Sequence, residues 1–196
     1  MRCKHCSTKT DKKVKSISLA LCDNCFKSFL VKRLKAYRFK ENITFVTISR
    51  DRSEFIKTFY GISEDRVFLI KEESVDPKNY LLTLKFLDHS NLAIDLLLEE
   101  IASLFFYLVY TNYLDLLEWF IGNVRINKIM IPFGDFLKED LEEFSKFLGL
   151  RVVFDCTMWD ERFLAIIKGL KMLDTSMRGT LYRFWVGLKK DRNLVI

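Results

Sequence analysis

"ENITFVTISRDRSEFIKTF", residues 41–59, reads as a buried strand, a tight turn and a helix. The turn is Ser49-Arg50-Asp51-Arg52-Ser53, without a glycine. In nucleotide-binding α/β proteins this junction carries glycines, because the backbone must approach phosphate closely and present its N–H groups. Ser49 and Ser53 still suit a helix cap. Arg50 and Arg52 stand where side chains would obstruct a phosphate cradle, although an arginine can also bind phosphate directly. The turn therefore reads as a degenerate nucleotide loop comprising Ser49, Arg50, Asp51, Arg52 and Ser53.

Outward from this turn the periods alternate. "RVFLIKE" (66–72) is a strand, and "YLLTLKFLD" (80–88) fits a strand or a helix. "SNLAIDLLLEEIASLFFYLVY" (90–110) reads as one long helix and "YLDLLEWFIG" (113–122) as a second. "NKIMIPF" is a strand, "KEDLEEFSKFLG" a helix, "RVVFDC" (151–156) a strand, and "DERFLAIIKGLKMLD" and "TLYRFWVGLK" are helices. Strands alternating with helices predict an α/β fold with a parallel sheet covered on both faces. Ligands of such sheets sit beyond the carboxyl ends of the strands, where the glycine-free turn falls.

The first 40 residues differ from the rest. They hold 12 Lys/Arg against Asp11 and Asp23, whereas residues 41–196 hold 20 against 24. A basic module, 1–40, is thus joined to a mildly acidic body, 41–196. This charge division favours a polyanionic partner, most often nucleic acid, over a merely solvated surface.

"CKHC" and "LCDNC" place Cys3, Cys6, Cys22 and Cys25 as two C-x2-C pairs 15 residues apart. Four thiolates at this spacing surround one Zn²⁺ tetrahedrally and leave no open position, which marks a structural ion; an iron–sulfur centre or a redox pair are the alternatives. The intervening "STKTDKKVKSISLAL" has the composition of a two-stranded ribbon, and His5 reads as a surface residue. Cys25 leads into a helix with an apolar stripe of Phe26, Phe29, Leu30, Leu34 and Tyr37. Lys27, Lys32, Arg33, Lys35 and Arg38 decorate the rest, which fits either a phosphate-backbone reader or a helix packed on the body.

With 49% hydrophobic residues and 18 Phe, the chain is globular and rich in aromatic core. Asp95, Glu99, Glu100 and Asp115 interrupt its longest apolar region, so no run reaches the ~20 residues of a bilayer span. The paired carboxylates Glu99/Glu100 and Glu142/Glu143 read as solvated faces or partner contacts. The opening "MRCKHC" lacks the apolar core of a secretory leader, and the expectation is a cytoplasmic protein with reduced cysteines.

Several of these stretches together resemble the tRNA 2-thiolation family, which joins an amino-terminal zinc finger to a PP-loop ATP-pyrophosphatase-like domain of Rossmann-like type. The similar segments are "MRCKHC…LALCDNCFKSFLVKRLK", the strand-turn at 43–53, "LDHSNLAIDLLLE", and "NKIMIPFGDFLKEDLEEFSKFLGLRVVFDC" with "RFLAIIKGLKMLD…GTLYRFWVGL". Active members carry a serine-glycine-glycine type loop for ATP at the strand-turn. Its loss here makes the chain similar to the degenerate, non-catalytic subunit, the cytoplasmic tRNA 2-thiolation protein 2 type.

The resemblance implies a pseudoenzyme that helps bind tRNA and pairs with a catalytic PP-loop thiolase subunit as a heterodimer, for 2-thiolation of the wobble uridine. Active relatives of the iron–sulfur type use three core-domain cysteines; here Cys156 stands alone outside the finger, and one thiolate cannot hold such a cluster. Cys156 reads as a buried free cysteine and His89 as a structural histidine. Two alternatives remain: a nucleotide-binding sulfurtransferase-like enzyme using Arg50, Arg52 and Cys156, and a zinc-finger module binding other nucleic acid.

Overall fold

Strand β3 (Thr44–Thr47) is the centre of the body, in a computed structural model that describes residues 1–37, 39, 43–70, 74–87, 91–154, 156–171, 180 and 183–187. Two short antiparallel strands precede it, β1 (Lys13–Val14) and β2 (Leu19–Ala20), and then helix α1 (Asp23–Leu34). Helix α2 (Arg50–Tyr60) follows, closed by Gly61 in the left-handed region at φ 66°, where a side chain would be strained. The chain continues through β4 (Val67–Leu69), α3 (Pro77–Phe86), β5 (Leu92–Ile94), α4 (Leu98–Tyr110), α5 (Leu114–Arg125), β6 (Ile129–Met130), α6 (Lys138–Phe147) and α7 (Glu161–Lys171).

The body is a mixed α/β fold with a four-stranded parallel sheet in the order β4-β3-β5-β6, flanked by helices. Phe45 is in register with Val67 on one side and Ala93 on the other. The chain runs from β3 outward to β4, then returns past β3 to β5. Connections from β3 and β5 therefore leave in opposite directions, and the crevice between their carboxyl ends is the topological switch point of the sheet. Phe55 of α2 packs edge-on against Phe133, Phe144 and Phe154. On the other flank Trp159 meets Tyr80 and Phe163 at 5.2 and 4.7 Å between centroids. No helix among the described residues is long and apolar enough to cross a membrane.

Two sequence expectations change and one open alternative is resolved. Residues 90–110 are not one helix: Leu92–Ile94 form central strand β5, buried throughout, and the helix starts at Leu98. A strand covered on both faces shows a continuous apolar run instead of alternation, and here it merges with the apolar run of α4. "YLLTLKF" resolves as helix, because Asp76 caps it by accepting from Asn79 N at 3.0 Å and Pro77 supplies a first-turn φ. Residues 151–154 and 156 form no strand: Val152 and Phe154 are buried and Val153 is exposed, but the Val153 amide bonds Asp51 Oδ2 at 3.2 Å. Alternating burial persists there without a ladder.

The amino-terminal module is fastened to the body. Asp140, in the first turn of α6, is almost fully buried and accepts from the backbone amides of Lys15 and Ser16 at 2.5 and 3.0 Å. Lys12 bridges Asp23 and Glu143, both at 2.7 Å, and Phe26 packs on Phe147. Cys3, Val14, Leu21, Phe26, Leu30 and Leu34 join the same buried apolar cluster as the sheet.

Candidate functional site

The four cysteines converge as their spacing predicts. The Sγ atoms of Cys3, Cys6, Cys22 and Cys25 all lie within 4.8 Å of one another, so the group can hold a metal ion. A tetrahedral metal with metal–sulfur bonds of about 2.3 Å needs sulfurs about 3.8 Å apart, and Cys6 and Cys22 already stand at 3.5 Å. Cys3 and Cys6 come from a knuckle closed by the Ser7 amide donating to Cys3 O at 3.0 Å, with Ser7 at a positive φ of 63°. Cys22 is the N-cap position of α1, and Cys25 lies in its first turn. The ribbon β1–β2 spans the two pairs, as its composition suggests.

Electrostatics agree with this geometry. Burial alone would raise the Cys3 thiol, but the backbone groups of Cys22, Cys6 and His5 outweigh it and hold the thiol down at about 6. Cys25 is pushed up to about 12 by burial and then by its neighbours Cys22, Cys6 and Cys3. Successive negative charges on the same cluster oppose each other, and a central cation removes that opposition.

The strand-end crevice is filled from within. Ser49 caps α2, its Oγ accepting from Arg52 N at 3.5 Å. Thr47, ending β3, donates to Oδ2 of Asp95, just beyond β5, at 2.5 Å. Arg52 does not face outward: it is 0% exposed. Its guanidinium forks onto Glu100 at 2.8 and 2.9 Å and donates to Asp95 O at 3.1 Å. Glu100 also accepts from Leu97 N at 2.8 Å and Trp159 Nε1 at 2.9 Å. Cys156 Sγ lies 3.8 Å from Arg52 Nη2. The crevice at the strand ends holds an arginine with its own counter-ions.

This arrangement separates the carboxylates. Burial pushes the Asp95 carboxyl up to about 6, against the pull of Arg52 and Thr47. Burial would also raise Glu100, but the charge and fork of Arg52, with the Leu97 and Trp159 donors, bring it below its ordinary value. Desolvation opposes the Arg52 charge, yet Glu100 and Asp95 keep it protonated.

Glu99 and Glu100 are accordingly not a solvated face: both are buried, and Glu99 accepts from Lys138 N at the start of α6 at 3.1 Å. Glu142 and Glu143 are half-exposed, paired with Lys138 and Lys12. Of the degenerate loop, Arg50 and Asp51 are exposed, while Ser49, Arg52 and Ser53 are buried. Arg52, which the enzyme alternative would turn toward a ligand, is forked onto Glu100. Cys156 is buried, as read.

Along α1, Lys27, Lys32 and Lys35 are exposed, whereas Arg33 turns to Asp135 at 3.5 Å and lies over Phe29. Arg38 and His89 lie outside the described residues. Sequence reasoning missed Thr47, Asp95, Glu100 and Trp159 as one assembly. The available signal was charge inside the apolar run "AIDLLLEE": buried acids require partners, and Arg52 is the cation at the neighbouring strand end.

The chain matches no family model and no curated protein. Geometry and chemistry therefore carry the functional reading.

Proposed function

We propose that this chain is a non-catalytic subunit of a tRNA-thiolating complex. Its four-cysteine centre holds a structural Zn²⁺, and its body is a PP-loop-like domain that no longer takes ATP. The observation that carries the reading is Arg52, buried at the switch point on Glu100, where a nucleotide-binding relative would leave space for phosphate. A chain closed at that place would rely on a catalytic PP-loop partner for adenylation of the wobble uridine.

Three further features support it. The chemistry of four clustered thiolates suits zinc, and a full set of protein ligands is structural rather than catalytic. The exposed Lys27, Lys32 and Lys35 on α1 suit a phosphate backbone. The basic-finger, acidic-body division suits a protein with one polyanionic partner and one protein partner in the cytoplasm.

Purification of the tagged protein from its native host tests the reading. A PP-loop protein with an intact glycine loop, recovered together with tRNA, is expected. A monomer free of both, or ATP binding that Arg50→Ala abolishes, would overturn it.

A further inference from the structure

Beside the metal centre a cleft of about 480 Å³ opens on the face of the finger. Leu19, Leu21 and Phe29 supply its apolar walls, Lys4 and Lys32 its cationic ones, and His5 also lines it. No acid lines it. The finger's other cations show the contrast: Lys12 is matched with Asp23 and Glu143, and Arg33 with Asp135. Among the described residues, Lys4 and Lys32 make no ion pair. One face of Phe29 is covered by the Arg33 guanidinium, 5.2 Å from the ring centroid and tied to Asp135, so a base would lie on the other face.

We propose that this cleft receives a single unpaired nucleotide of an RNA strand, the base lying against Phe29 and the leucines and the flanking phosphates on Lys4 and Lys32. The inference rests on the tRNA-binding reading above and names the part of the RNA that the finger takes. The volume falls in the ~300–1,000 Å³ range of small-ligand clefts, enough for a base and its sugar-phosphate but not for a helix. A base within a duplex has both faces stacked and cannot offer one to an aromatic side chain, whereas a loop or bulge base can. Aromatic stacking and backbone cations together are the usual means of holding single strands without strict sequence preference. The adjoining metal centre fixes the walls: Cys25 lines the cleft, and Lys4 N bonds Ala20 O at 2.9 Å across the knuckle.

The test uses the full, metal-loaded chain and fluorescence anisotropy with three probes: a ten-nucleotide oligouridine, an abasic ribose-phosphate strand of the same length, and folded bulk tRNA. Phe29→Leu keeps an apolar wall and should weaken oligouridine binding about tenfold, the loss of one stacked base, without changing the abasic strand. Lys4→Gln with Lys32→Gln should weaken both and reduce the slope of log K against log salt by about 1.4, two phosphates at ~0.7 each. Metal content is measured on every variant, so that a damaged finger is not mistaken for a damaged cleft.

Equal binding of oligouridine and the abasic strand, or indifference to Phe29→Leu in a metal-loaded variant, overturns the nucleotide cleft while leaving tRNA binding standing. Oligouridine binding that depends on Phe29, with no affinity for folded tRNA, sustains the cleft and overturns the tRNA reading instead. Absence of binding to all three probes overturns both.

Discussion

Arg52, in the first turn of α2, and Glu100, in the first turn of α4, join the starts of two helices through a two-pronged ion pair from which solvent is excluded. Each helix follows a neighbouring parallel strand, so the pair spans the switch point of the sheet. Helix N-termini favour negative charge, which suits Glu100 and opposes Arg52. The guanidinium is tolerated because carboxylate and carbonyl acceptors lie on it, and the result is a closed cleft.

Removing one partner leaves the other charged and buried. Arg52→Met should destabilise the protein by about 3–5 kcal/mol, seen as a lower urea midpoint. Glu100→Gln in the same chain removes the stranded charge and keeps one acceptor oxygen for either Leu97 N or Trp159 Nε1, which bond opposite oxygens of the carboxylate, so the double variant should recover part of the loss. A double variant no more stable than Arg52→Met alone would show that the pair is not the seat of the effect.

Asp95 should make stability fall with rising pH across mild acid. Its carboxyl sits at about 6 in the fold against an ordinary value of 3.8. The native state therefore holds a proton that the unfolded chain has released, and its contribution is full below 3.8 and lost as pH passes 6. Glu100, shifted the opposite way, contributes above its ordinary value and loses that contribution as pH falls. The comparison with Asp95→Asn isolates the first effect. Relative to wild type, the variant should gain stability between pH 4 and 7, read from urea midpoints at each pH. A constant difference would contradict the shift.

How much of this was legible in the sequence follows from what each segment had to satisfy. The cysteine spacing fixed the centre because metal geometry depends on few residues, all local, and the ribbon between the pairs followed. Strand β3 and helix α2 were equally clear: a glycine-free turn still needs a cap, and Ser49 provides one. Strand β5 was hidden because burial on both faces removes alternation, and Asp95-Leu96-Leu97 carries no glycine or proline to separate it from α4. The partner of Arg52 was hidden for another reason: Glu100 is 48 residues away, and sequence shows charge without showing who faces it.

Metal removal should act first on the finger. Structural zinc supplies folding free energy directly in small modules. Chelation, or Cys3→Ser, should therefore speed hydrogen exchange at the Lys15 and Ser16 amides, while β5 amides at Leu92–Ile94 stay protected. Simultaneous loss of protection in both places would mean that the finger and the sheet unfold as one unit.

Asp140 should transmit between these two parts. Its carboxylate takes both the Lys15 and Ser16 amides, so each is a hydrogen bond to an ionised acceptor, worth about 1.5–3 kcal/mol. Burial raises its carboxyl above the ordinary range against those same amides, so part of that gain offsets desolvation. Asp140→Ala strands the nearly buried Ser16 end of the ribbon and should cost about 2–4 kcal/mol in a urea titration, since a removed acceptor leaves its donors unsatisfied. Asp140→Asn keeps one acceptor oxygen and should cost less. The Lys12–Glu143 bridge, partly exposed on both sides, is a weak substitute, and Glu143→Gln should change stability by less than about 1 kcal/mol. If Glu143→Gln proved as costly as Asp140→Ala, the finger would be held by surface charge, and raising salt would then loosen it. The buried carboxylate predicts instead that its attachment is largely indifferent to salt.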